Sequence, residues 1–423
     1  MPRKLLLRNR LSPGDIVMLT AAVRDLHMAH PGAFITDVDT TAMQLWENSP
    51  YITKIDRRDP DVEIIDCHYP LIHSSNEGPW HFIHGFTQYL EDRLGVPIRP
   101  TAMRGDIHLS DDERRWIPQT VEHGLPDPFW IVVAGGKRDF TAKLWGRSRW
   151  QEVIDRLKSR VKFVQVGEAG HDHPAMNYVL DLRGKTDIRQ LVRLVYHADG
   201  VICPVTFAMH LAAAVPTKPG RPKNRPCVVI AGGREPSQWE AYPHHQYLHT
   251  NGMLPCCDNG GCWKSRIVPL GDGESGDKSL CLMPVKEPDE QIIPRCLAMI
   301  SVDRVVAAVE GYLEWSPAPR PSREFEDRDP TLSEMVANYG RATVRDIKAG
   351  FKRVSESVFL ERLATCRACS KWDEDARLGF GKCRHRDCGC TKSKLHRVAE
   401  KCPLDRWPIL PDSQIIEKDS QNA

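Results

Sequence analysis

Apolar and polar positions along the first three quarters of this chain fall into short blocks that switch between strand-like runs and helical spacing. Apolar runs at Leu5–Leu7, Phe34–Val38 and Val62–Ile65 alternate with helical patterns over Asp15–His30, Thr41–Glu47 and Trp80–Leu94. That alternation predicts a parallel sheet covered by helices. A polar stretch from Asp111 to Pro128 follows, and then the pattern restarts. Strands are expected at Trp130–Ala134, Val161–Val166, Gly200–Cys203 and Pro226–Ala231, with helices at Trp150–Arg160, Ile188–His197 and Phe207–Val215 between and after them. The expected fold class is therefore α/β, with two Rossmann-like units facing a cleft, residues 1–120 and 121–315. A last helix, Val302–Trp315, gives way to a proline-rich segment from Ser316 to Ser322 and a mixed-charge run to Pro330. Residues 316–330 read as a linker. A helical segment and a small cysteine-rich module are expected over 331–410.

Composition supports a protein of several domains. With 423 residues, of which 41% are hydrophobic and 27% charged, the chain can bury a sizeable core. A net charge of +2 exerts no global pull toward nucleic acid or a membrane. No run of about 18 apolar residues occurs, and the basic start Met1–Lys4 is followed by only three leucines, so neither a membrane span nor a signal peptide is expected. The expected location is cytoplasmic. Fourteen cysteines in such a compartment favour metal ligation over disulfides, particularly since most of them fall in two clusters.

The most chemical stretch is the first strand–loop–helix connection. Ser12-Pro13-Gly14-Asp15 is a small-residue loop with one carboxylate directly ahead of a helix, at the mouth of a parallel sheet, where open α/β folds bind ligands. Asp15 either caps its helix or acts as a base. At a helix N-terminus the dipole holds a carboxylate ionised and lowers its basicity, which enclosure would have to offset.

The loop resembles the opening of the family-9 glycosyltransferases, the ADP-heptose heptosyltransferases, through Ser12, Gly14, Asp15, Ala21-Ala22 and His30-Pro31. The resemblance extends in order through Gly135-Gly136, Lys143-Leu144-Trp145, Trp150, Val164–Gly167, Gly184-Lys185-Thr186, His210–Ala214 and the Gly232–Pro236 loop with Trp239. It implies the GT-B architecture, with acceptor bound mainly by the N-terminal half and a nucleotide-sugar donor such as ADP-heptose by the C-terminal half. Inverting transfer needs a base for the acceptor hydroxyl and cationic or N–H groups for the leaving diphosphate. Asp15 suits the first role and Lys143 the second, with Arg147 or Lys185 as further cations. Ser12, Gly14, Gly135, Gly136, Lys185, Thr206, His210, Gly232, Gly233 and Glu235 are the expected donor and acceptor contacts. His210 reads equally as a structural histidine. One departure bears on the donor: Val205-Thr206-Phe207 stands where the family has Asp-Thr-Gly. No catalytic metal is expected. The expected partners are the nucleotide sugar, a glycan, glycolipid or protein acceptor, and transiently the inner-membrane surface; nucleic acid is not an expected one.

The first cysteine cluster, Cys256-Cys257, Cys262, Cys281 and Cys296, offers soft ligands on turns that can converge into a tetrahedral site. It is similar to the metal finger of the heptosyltransferases that modify autotransporters, which implies iron, whereas spacing alone allows zinc. The expected ligands are Cys257, Cys262, Cys281 and Cys296, in a structural role. The second cluster, Cys366-x2-Cys369, Cys383, Cys388-x-Cys390 and Cys402, is zinc-ribbon-like, in a stretch too short and polar to fold without a cross-link. Four of Cys366, Cys369, Cys383, Cys388 and Cys402 are the expected ligands. Its excess of Lys and Arg either balances thiolate charge or binds phosphates. Two other functions fit the same pattern: a sugar-nucleotide epimerase, which shares the two-Rossmann plan, and a nucleic-acid-associated protein on a degenerate transferase scaffold.

Overall fold

The computed structural model describes residues 1–125, 128–315, 345–346, 348–350, 352–369, 372–373, 382–383, 395–399, 402, 407 and 415–416. The chain forms two compact units, Met1–Pro317 and Ala318–Ala423.

The first unit opens with β1 (Arg3–Asn9), α1 (Pro13–Ala29), β2 (Phe34–Thr40), β3 (Val62–Asp66) and α2 (Phe82–Leu94). The strands form a parallel sheet in the order β2-β1-β3. Leu5, Leu6 and Leu7 are all buried, as in a parallel strand covered on both faces. Helix α1 is buried without a break from Ile16 to Leu26, so it is covered on all sides instead of amphipathic, and its buried charges Arg24 and Asp25 pair with each other. It packs against α2 on one side and against a helix of the second half, α7 below, on the other.

Short helices α3 (Asp111–Arg115) and α4 (Gln119–Glu122) lead into the second half. There β4 (Trp130–Val132), α5 (Arg147–Leu157), β5 (Phe163–Gln165), β6 (Val179–Asp181), α6 (Ile188–His197), β7 (Gly200–Pro204), α7 (Phe207–Ala214), β8 (Cys227–Gly232), α8 (Ser237–Glu240) and β9 (Gln246–His249) follow. All six strands are parallel, in the order β6-β5-β4-β7-β8-β9. An antiparallel pair, β10 (Pro284–Lys286) and β11 (Ile292–Pro294), then α9 (Arg295–Ala298) and α10 (Val302–Trp315), completes the unit.

The two α/β halves expected from the pattern thus form, each with its own parallel sheet. A single apolar core runs from Leu5, Leu7 and the length of α1 through Val201, Met209, Leu211 and Trp239, so α1 is a wall shared by both halves. Two local expectations differ. The helix expected at Thr41–Glu47 is a 3-10 turn, Met43–Trp46. The helix expected from Trp80 starts at Phe82, because His81 accepts from the Ile83 N–H and His84 closes a capping box behind it.

In the second unit, α11 (Glu356–Arg367) is capped by Ser355, and two short antiparallel pairs join β12 (Arg353–Val354) to β15 (Ile415–Ile416) and β13 (Trp372–Asp373) to β14 (Lys382–Cys383). Trp407 Nε1 donates to Cys366 Sγ at 3.4 Å, and the Arg362 guanidinium lies 4.6 Å from the Trp407 ring centre. The expected linker at 316–330 and Cys388 lie outside the described residues.

Candidate functional site

In a parallel sheet the strand carboxyl ends open onto one rim, and segments that follow two strands of the first sheet and three of the second meet between the two rims. The loop after β1 brings Ser12, Gly14 and Asp15; the one after β3 brings Tyr69; the one after β4 brings Lys137 and Lys143; the one after β7 brings Val205, Thr206 and His210; and the one after β8 brings Arg234, Glu235 and Glu240.

Asp15 is at the centre. Its Oδ1 accepts a 2.6 Å hydrogen bond from the Tyr69 hydroxyl. Burial pushes its carboxyl above the usual range, and the Tyr69 bond and the nearby Lys143 charge only partly offset that. Enclosure therefore outweighs the hydrogen bonds to this carboxylate and the lysine charge, and raises its basicity. Tyr69 is held in place by edge contacts of its ring with Phe82 and Phe86, 4.7 and 5.0 Å between centroids. Gly85 lies beneath it, where a Cβ would come within 2.8 Å of Tyr69 Cβ.

Lys143 Nζ lies 2.8 Å from Glu235 Oε1 and donates to the Val205 carbonyl at 3.1 Å. Arg234 pairs with the same Glu235 oxygen, and its guanidinium sits between the rings of Phe140 and Trp263, 5.3 and 5.5 Å from their centres. Burial alone would raise the Glu235 carboxyl; the two cations bring it below its ordinary value. Glu235 Oε2, Glu240 Oε2 and Thr206 Oγ1 are buried without a hydrogen-bond partner. The substituted Val205 and Phe207 both pack on the apolar core.

His210 is 5% exposed, and burial drives its imidazole down to about 3, so it is neutral. Its Nδ1 is 2.8 Å from the Tyr242 hydroxyl. The ring presses on the Asp15 loop: a Cβ at Gly14 would lie 3.1 Å from His210 Cδ2, so only glycine lets α1 and α7 approach this closely. Ser12 Oγ accepts from Lys137 Nζ at 2.9 Å, a second link between the halves.

The remaining expected contacts are placed less centrally. Gly135 and Gly136 run against the 168–174 loop, with Gly136 and Asp172 exchanging backbone hydrogen bonds of 3.1 and 2.9 Å. Lys185 lies beyond edge strand β6, two strands from β4, and donates to the Asp181 carbonyl at 2.9 Å. Gly232, at φ +67°, and Gly233 turn the chain out of β8 against Leu297, Cys296 and Cys257.

Cys256, Cys262, Cys281 and Cys296 line one small cavity beside Arg234. Cys257, expected as a ligand in place of Cys256, is not in that lining; it is buried beside Gly233 and donates to the Thr250 carbonyl at 3.6 Å. The thiols are not drawn together: among the described residues, no group of three or more His, Cys, Asp or Glu side chains is gathered closely enough to hold a metal ion. The Cys262 N–H donates to the Gly233 carbonyl and the Trp263 N–H to the Arg234 carbonyl, so this loop props the Glu235 turn from behind. It also reaches the first half, where the Asn76 side chain both donates to the Gly261 carbonyl and accepts from its N–H, each at 3.0 Å.

Tyr69, Arg234, Glu240 and Tyr242 were not among the expected site residues. Neither Tyr69 nor Glu240 sits in a motif that marks it in the sequence: Tyr69 lies in the loop after β3, and Glu240 is the last residue of α8.

Residues 79–246 match the profile of glycosyltransferase family 9 (heptosyltransferase). No curated protein matches the chain. Among solved structures, it is similar to the dodecameric iron-containing heptosyltransferase TibC in complex with ADP-D-β-D-heptose, at 16% identity over 74% of this chain and 76% of that one, with a TM-score of 0.50. TibC comes from enterotoxigenic E. coli. A family-9 glycosyl transferase from Veillonella parvula aligns at 16% identity over 74% of this chain and 98% of that one, TM-score 0.49. ADP-heptose LPS heptosyltransferase II of E. coli aligns at 15% identity over 74% and 98%, TM-score 0.46. Among the described residues, no helix is long and apolar enough to cross a membrane.

Proposed function

We propose that the chain, whose residues 79–246 match glycosyltransferase family 9, is a glycosyltransferase of GT-B fold that transfers a heptose-like sugar from an ADP-linked donor to a hydroxyl, with inversion. The observation that carries this reading is the buried Asp15 carboxyl, raised by enclosure and bonded to the Tyr69 hydroxyl, with the Lys143 charge close enough to act on it. Asp15 takes the proton of the acceptor hydroxyl as that oxygen attacks the anomeric carbon. The donor diphosphate leaves toward Lys143, which exchanges Glu235 for phosphate oxygens, and toward the N–H groups opening α7 at Phe207. The acceptor is a glycan, lipopolysaccharide core sugar or protein hydroxyl, reached from the cytoplasmic side.

The thiols of Cys256, Cys262, Cys281 and Cys296 suit a structural zinc or iron ion in kind, being four soft donors on separate turns around one cavity. When bound, the ion would cross-link the turns behind Arg234 and Glu235; no step of transfer passes through it. A second structural metal would be held in the tail by four of Cys366, Cys369, Cys383, Cys388 and Cys402.

A thermal-shift series with nucleotide diphosphates and their sugars tests the donor, since a ligand that binds only the native state raises its stability. ADP or ADP-heptose is expected to give the largest shift. A larger shift with UDP compounds, or no response to any nucleotide, contradicts the reading.

A further inference from the structure

The site holds one more acid than it has cations to pair with. Asp15, Glu235 and Glu240 converge on a space whose cations are Lys143 and Arg234, and both of these are committed to Glu235. That leaves two acids, Asp15, whose Oδ1 accepts from the Tyr69 hydroxyl, and Glu240, 6% exposed. Glu240 Oε2 has no hydrogen-bond partner and lies 3.8 Å from His210 Nε2. Asp15 faces it from α1, Tyr69 from the loop after β3, His81 from the cap of α2, Lys143 from the loop after β4 and His210 from α7. Arg234, Glu235, Tyr242 and Tyr247 complete its surroundings. Burying a third carboxylate here without a counter-ion would be costly, and a carboxyl in that position keeps its proton.

The hydrogen bonds around His210 run in a direction that fits a protonated Glu240. The Tyr242 hydroxyl has the Met18 sulfur as an acceptor at 3.4 Å, which leaves the phenol oxygen free to accept from His210 Nδ1–H. Nε2 then carries a lone pair, and it points to the one neighbouring carboxyl that can offer a hydrogen. With Glu240 ionised, the imidazole would have to turn to the opposite tautomer, and negative charge would stand beside Asp15 where the diphosphate enters.

We propose that Glu240 is a positioning residue of the donor site: as a neutral acid directed at His210 Nε2 it holds α7 against the Gly14-Asp15 loop, and its ionisation expels the donor diphosphate. This inference rests on the donor reading above and adds to it the residue that sets the alkaline limit of binding. Burial and the Glu235 charge raise the Glu240 carboxyl to about 8, which locates that limit.

The test is ADP affinity of the full-length protein measured by calorimetry across about pH 6.5 to 9.5, for wild type and Glu240→Gln. Wild-type affinity is expected to fall about tenfold for each pH unit above the limit, as for loss of a single proton. E240Q, which cannot ionise, is expected to give a flat profile whatever its absolute affinity. A role in packing alone would change affinity equally at every pH. Parallel decline of both proteins overturns the Glu240 proposal and leaves the donor reading standing. Absence of ADP binding by either protein at any pH overturns the donor reading, and this inference with it. Should E240Q fail to fold, infrared spectra of the wild type decide: a carboxylic-acid band lost in step with ADP affinity supports the proposal, and affinity that falls without such a band overturns it.

Discussion

At the residue scale, the chemistry turns on which charges are already spoken for. Lys143 is held by Glu235 and the Val205 carbonyl, so a donor phosphate must compete with a buried carboxylate for it. Lys143→Ala is expected to weaken ADP about 10- to 100-fold, the range for a charge-assisted hydrogen bond, and AMP only a few-fold, because the contact is with the outer, leaving phosphate. Calorimetry with both nucleotides checks it, and equal losses would remove Lys143 from that role. Asp15, Gly14, Lys143, His210 and Glu235 could be picked from the sequence because they sit in short motifs at strand ends. Tyr69 and Glu240 could not. Each carries no local pattern of its own, and its significance comes from burial and from partners distant in the chain, Asp15 for Tyr69 and His210 for Glu240.

At the element scale, long central strands and strongly apolar helices were legible. Leu5–Leu7 falls within β1, Gly200–Cys203 within β7, and Ile188–His197 coincides with α6. The edge strands of the second sheet were not: β6 spans three half-buried residues and β9 begins on an exposed Gln246, so neither has the apolar run that marks a strand. The cysteine loop shows a different gap. Its thiols were visible, but which one of the adjacent Cys256 and Cys257 faces the cavity depends on the turn at Pro255–Cys257. Because this loop props Arg234 and Glu235 through the Cys262 and Trp263 backbone, Cys281→Ser is expected to release one of about two metal ions per chain and to lower the melting temperature. Elemental analysis and a thermal melt measure both. Unchanged metal content would remove Cys281 from the ligand set.

At the scale of the whole molecule, seven histidines of the first unit are held from protonation by burial, in whole or in part. Burial lowers His27, His81, His173, His210, His244, His245 and His249, with His81 and His173 at about 4. Each would take up a proton near pH 6.5 in the unfolded chain but not in the folded one, so each contributes stability that is present above about pH 6.5 and lost as pH falls. Glu240 acts in the opposite sense, since its folded-state carboxyl is raised; it favours the folded protein at low pH and opposes it as pH rises from about 4.5 to 8. Seven histidines outweigh one glutamate. Unfolding free energy from urea titrations is therefore expected to fall steadily from about pH 7 to pH 5, and a flat profile over that range would mean that these imidazoles are solvated.

The central claim is that Asp15 is the base of a sugar transfer, and Asp15→Ala separates this from its alternative, a helix cap. The decisive measurement is release of ADP from ADP-heptose in the presence of acceptor, with ADP affinity measured on the same preparations. The account predicts unchanged ADP affinity and a transfer rate about 10²- to 10⁴-fold lower, the range for loss of a positioned general base. A rate within tenfold of the wild type would contradict it and return Asp15 to the capping of α1.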